Sequence, residues 1–121
     1  MLIEKIVYLD KEVETGDLEW NAHPAFQGVF LKHLVKGEAT EGKFSCHLVK
    51  IEAGCQIGEH LHEGKWELHE VIDGSGQCFL LEKEIEYKLG LSAVIPANLK
   101  HRVVAGENGL YLLAKFIPAL L

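Results

Sequence analysis

Residues 54–74 read GCQIGEHLHEGKWELHEVIDG and place three histidines and three acidic residues within positions 60–70 of a chain that elsewhere reads as buried β structure. Imidazoles and carboxylates stay out of a core unless partners hold them there. Successive side chains of a strand point to opposite faces, so His60 and His62 project from one face while Leu61 points the other way. Gly54 stands six positions before His60, Glu67 five after His62, and Gly74 seven after Glu67. If the strand runs unbroken from Lys65, His69 shares the parity of Glu67 and faces the same cavity, whereas Trp66 and Glu70 face away. The HXH pair alone decides little, because seven histidines spread over 121 positions would give roughly 0.4 such pairs by chance.

Outward from this stretch, glycines punctuate the chain at short intervals. The segments between them are β-branched, aromatic or alternating: 28–35, 44–53, 66–73, 77–82, 92–97, 101–105 and 110–117. No stretch carries a long, capped helical period. The best helical candidate, residues 17–27, has Pro24 against it. The expectation is an all-β sandwich or small barrel, formed by a single domain over residues 1–121. Residues 1–40 are read as an N-terminal strand and arm, packing on the barrel or on a second subunit, and residues 41–118 as the barrel.

A second stretch, GLSAVIPANLKH at 90–101, sets Gly90, Pro96 and His101 at GX5P spacing with a histidine following. Together the two stretches resemble the paired motifs of the cupin superfamily. Asn98 and Ala105 replace the usual glycine and asparagine of the second motif, and Leu91 replaces a common aspartate. Asn98 tolerates a left-handed turn backbone. The resemblance implies a double-stranded β-helix, or jelly-roll barrel, and carries over four metal ligands, His60, His62, Glu67 and His101. Three neutral imidazoles and a carboxylate suit Mn, Fe, Co, Ni, Cu or Zn and leave positions open for a substrate. Without a metal these groups would have to survive as a hydrogen-bonded network.

His69 is the candidate catalytic residue. It is open to three readings: a hydrogen-bond donor to a ligand, a general base, or a packed histidine. Tyr87 and Lys100 could offer acid or base groups near the mouth, though both also read as plain strand residues. His23, His33 and His47 lie outside both motifs and read as surface or structural histidines, and Glu59 and Glu63 as solvated charges. The resulting expectation is a metal-dependent enzyme of the dioxygenase, isomerase or lyase type acting on a small oxygen-bearing molecule. The alternative is a non-enzymatic metal or small-ligand binding or sensor module.

The formal charge of −6, with acidic residues dispersed, gives no basic patch for nucleic acid. Cys46, Cys55 and Cys78 are odd in number and lack CXXC spacing, so they read as small buried thiols. The N-terminus lacks a secretory apolar run, and the C-terminal LYLLAKFIPALL is too short for a bilayer and contains Lys115, so a cytoplasmic location is expected. The alternating MLIEKIVYL offers an edge through which a homodimer could form.

Overall fold

A computed structural model describes residues 3–121, which leaves Met1 and Leu2 of the proposed dimerising strand outside the described residues. Ten strands form in chain order: β1 (Lys5–Val7), β2 (Glu12–Glu14), β3 (Asn21–Ala22), β4 (Val29–Val35), β5 (Ser45–Ile51), β6 (Gln56–His60), β7 (Trp66–Leu80), β8 (Lys83–Lys88), β9 (Ser92–Ile95) and β10 (His101–Ile117). Two one-turn 3-10 helices, Thr15–Asp17 and Gly37–Ala39, are the only helical pieces among the described residues. None is long and apolar enough to cross a membrane.

The two longest strands explain the architecture. β10 pairs along its length with β7, with its first half against β6 and its second half against β5. β7 in turn takes β9 on its first half and β8 on its second. Each therefore serves both walls of a jelly-roll barrel, bending where register shifts fall between Ala105 and Leu110 and between Tyr111 and Leu112. Gly74 lies at this bend. Its φ is +77°, and a Cβ there would meet the Gly109 carbonyl oxygen at 2.2 Å, so the close approach of the two strands requires glycine. The segments read separately as 66–73 and 77–82, and as 101–105 and 110–117, are each one bent strand, because the turn-like glycines between them serve the bend.

Strand alternation divides the side chains into two sets. Val29, Val49, Ile51, Val71, Leu110, Leu112 and Phe116 fill the interior. Leu34, Cys46 and Leu48 face outward, where Ile3, Ile6 and Leu18 cover them. The N-terminal hairpin, β1 against β2, thus packs on the barrel of its own chain. The sheet also extends earlier than residue 41: β3 and β4, in the stretch read as an arm, pair into it through β5. Val29, Leu31 and His33 alternate inward there, within the stretch 28–35 that already reads as a β segment. The helical candidate at 17–27 forms turns and β3, consistent with Pro24. β8, KEIEYK, carries too many charges to read as a strand, yet Ile85 and Tyr87 alternate inward.

Candidate metal site

β6 ends at His60, β7 begins at Trp66, and β10 begins at His101, so the loop 61–65 and two strand ends surround one point of the barrel interior. His101 and His60 are direct cross-strand partners, with ring centroids 4.2 Å apart. His62 lies beyond the end of β6, so the loop, and not continued strand alternation, turns it inward to 4.9 Å from the His60 ring. One nitrogen from each of His60, His62 and His101 can be chosen so that all lie within 4.8 Å of one another, a spacing that could hold a metal ion.

Backbone carbonyls set the ring orientations. His60 donates its Nδ1–H to the Gly58 carbonyl at 2.7 Å, and His101 donates its Nδ1–H to the Leu99 carbonyl at 2.9 Å. Each ring thereby carries its lone pair on Nε2, the form a metal requires. Opposite them, the buried Glu67 places Oε1 3.3 Å from His101 Nε2 and 3.7 Å from His62 Nε2. Glu67 Oε1 and His101 Nε2 are both buried without a hydrogen-bond partner. In this tautomer both are acceptors, so only a proton or a cation between them relieves the contact. The donor set fits a borderline divalent ion.

The electrostatics likewise call for a positive charge beside Glu67 Oε1, carried by a proton on His101 or by a cation. Burial pushes the Glu67 carboxyl upward, but His69, His101 and His62 outweigh it and hold the group well below the usual carboxylate range. At His101 burial favours the neutral ring, yet the adjoining Glu67 and the Leu99 carbonyl raise its pKa above the ordinary value. Burial lowers His60 to about 4 and also lowers His62, so both remain neutral and ready to ligate at pH 7.

His69 shares the inward face of β7 with Glu67, and both of its ring nitrogens are engaged. Nε2–H donates to Glu67 Oε2 at 2.8 Å, and Nδ1 accepts from the Tyr87 hydroxyl at 2.9 Å. Tyr87 is fully buried and far from any mouth, and burial pushes its phenol far above the ordinary value. Its place beneath His69 was invisible until β8 was recognised; the i, i+2 pair Ile85 and Tyr87 is the signal that could have found it. Trp66 is exposed, and Glu70 turns outward to pair with Lys115. Glu59 and Glu63 are exposed, and Lys100 lies apart from the cavity wall.

His60, His62 and Glu67 line a cavity of about 80 Å³ together with His69 and His23, while His101 sits behind its wall. His33 and His47 stand elsewhere in the interior, with Nδ1 atoms 2.8 Å apart and His47 Nε2 2.8 Å from Ser45 Oγ, a structural chain as expected for histidines outside the motifs. Cys46 and Cys78 are buried free thiols and Cys55 is half-buried.

Residues 47–113, 67 of the 121, match the family described as Cupin domain. Among solved structures, the chain is similar to a predicted oxalate decarboxylase from Thermotoga maritima, with 25% identity and a TM-score of 0.78 over 88% of this chain and 97% of that one. It is similar to KdgF from Halomonas sp., with 20% identity and a TM-score of 0.74 over 85% and 90% of the two chains. Bacillus subtilis oxalate decarboxylase, a protein with Mn(II) centres, aligns at 17% identity and a TM-score of 0.76 over 88% of this chain and 29% of its own. At these identities the last two speak to the fold alone. No curated protein matches.

Proposed function

Because the chain belongs to the cupin family, we propose that it holds one divalent transition metal ion through His60, His62, Glu67 and His101 and acts as a metal-dependent enzyme on a small oxygen-bearing substrate. The facing pair of buried, unpartnered atoms, Glu67 Oε1 and His101 Nε2, carries this reading. When bound, the ion polarises a substrate oxygen and neutralises charge that develops there. Four protein donors leave coordination positions open for substrate. The likeness to a predicted oxalate decarboxylase supports a lyase above a dioxygenase or an isomerase.

In this reading His69 is a positioning residue. It donates to Oε2 of Glu67 and so turns Oε1 toward the imidazoles, while Tyr87 fixes the tautomer that lets it donate. Glu67 is then the carboxylate nearest to a bound substrate.

The non-enzymatic binding module is favoured by one observation: with both nitrogens of His69 engaged, half-buried His23 is the remaining titratable group on the cavity wall beyond the ligands. Oxygen uptake and product analysis with the metal-loaded protein separate the two readings. The reading also includes a cytoplasmic homodimer. The hairpin of β1 and β2 forms a two-stranded sheet of its own, and among the described residues no third strand pairs with it, which supports such pairing. Gel filtration over a range of concentrations tests it, and a monomer throughout would refute it.

The metal site itself is tested by elemental analysis of protein purified without a histidine tag. Close to one transition metal ion per chain is expected, and a folded protein that takes up none would end the proposal.

A further inference from the structure

The cavity wall narrows what a site of this kind takes, given the metal reading above. The cavity measures about 80 Å³. Sites for drug-sized ligands run to about 300–1,000 Å³, so the occupant is small. Away from the ligands the wall is apolar, with Val29, Leu31, Val49, Ile57, Leu112 and Leu120 among its residues.

Among the described residues, no lysine or arginine lines the cavity. The single arginine of the sequence, Arg102, lies over the Phe79 ring at 4.0 Å on the outer face. The buried Lys32 donates to the Thr15 carbonyl at 3.1 Å and lies over Trp20, again outside the barrel interior. His23 accepts the Ala25 N–H at 3.0 Å, and burial lowers its pKa, so it carries no charge at neutral pH. A second carboxylate brought into this wall would lose its water with no cationic side chain beside it, the metal being already engaged by the first pair of oxygens. A short alkyl group would gain from the same burial.

Leu120 belongs to the C-terminal segment, which three hydrogen bonds pin to residues 37–45. The Gly37 N–H donates to the Leu121 carbonyl at 2.5 Å, the Ala119 N–H to the Gly42 carbonyl at 3.1 Å, and the Leu120 N–H to Ser45 Oγ at 2.8 Å. The side chain of Leu120 is therefore a fixed part of the wall.

We propose that the site takes a small compound presenting two neighbouring oxygens to the metal at one end and one short apolar tail, with no second charge, at the other, and that Leu120 limits the length of that tail. The specificity is thus for a mono-charged or neutral chelator over a dicarboxylate.

The test uses the whole protein loaded with Mn(II), its metal content measured first. Calorimetric titration compares 2-hydroxyisovalerate with tartronate, which carries a carboxylate in place of the isopropyl group. 2-Hydroxyisovalerate is expected to bind about tenfold or more tightly, although its rival's second carboxylate makes it the stronger chelator in water. Leu120→Ala should shift the preference toward the longer 2-hydroxyhexanoate, and Leu120→Lys should narrow the gap to tartronate. If the protein holds its ion but tartronate binds equally well or better, or neither compound binds, the inference is overturned while the metal site stands. A length preference unchanged in a folded Leu120→Ala protein overturns the role of Leu120. Failure to load metal removes the metal site and this inference together.

Discussion

Asn98 Oδ1 accepts the backbone N–H of Gly64 at 3.0 Å, and the Asn98 N–H donates to the His62 carbonyl at 3.1 Å. The turn before His101 is thereby bonded to the loop that carries His62, and Asn98 holds φ at +66° to make both bonds. Asn98→Gly keeps that backbone and loses the side-chain acceptor, at a cost of about 1 kcal/mol. Asn98→Ala adds the left-handed strain, another 1–2 kcal/mol or so. Urea unfolding of both variants should rank them in that order, with metal affinity falling alongside. Equal stability of Asn98→Ala and the parent protein would show that the tie contributes nothing.

Tyr87→Phe leaves a buried acceptor, Nδ1 of His69, without its donor. Stability should fall by about 1–3 kcal/mol, while the four ligands remain and metal is still bound, about 10–100-fold more weakly because Glu67 is less firmly oriented. Thermal unfolding and competition with a chelator measure the two effects. An unchanged metal affinity would disconnect Tyr87 from Glu67.

Among the histidines in and behind the cavity wall, His60→Ala and His101→Ala should abolish stoichiometric metal uptake, whereas His23→Ala should retain it. Glu67→Gln removes the one ligand charge and should also lose the ion. Elemental analysis after dialysis reads all four. Uptake that survives His101→Ala would place the ion elsewhere.

His47 is fully buried between Ser45 and His33, and burial followed by the neighbouring His33 lowers its pKa to about 4. In the unfolded chain the ring titrates near 6.5. The unfolded state therefore binds the proton first as pH falls, and the stability that neutral His47 provides is complete above about pH 6.5 and is lost on the way down to about 4. In chelator-treated protein, the stability advantage of the parent over His47→Asn should shrink across that window. A constant difference from pH 7 to 4 would mean that His47 is not held neutral.

The candidate ligands were legible in the letters because each pattern is local. His60, His62 and Glu67 stand within eight positions, and their spacing, with Gly54 and Gly74, survives whatever the rest of the chain does. Pro96 and Asn98 likewise announce a turn from their own backbone preferences, and the positive φ of Asn98 agrees with that reading. Inward parity of His69 followed from Glu67 two positions earlier. The jelly-roll fold came with the two motifs.

The role of His69 was not legible, because it depends on Tyr87, eighteen positions away and on a strand too charged to recognise. The same holds for the intrachain packing of the N-terminal hairpin and for the barrel's reach to β3 and β4, which are decided by which outer face is left apolar once β5, β7 and β10 have paired.

The sequence by itself determined the strand-rich class and named the candidate ligands, since alternation and turn chemistry are properties of a few consecutive residues. Only the tertiary structure decided that His101 sits opposite His60, that Glu67 Oε1 is stranded against an imidazole nitrogen, and that Leu120 lines a cavity with no lysine or arginine on its wall. Those relations join residues tens of positions apart, and they exist only where two long strands bend together at Gly74 and Gly109.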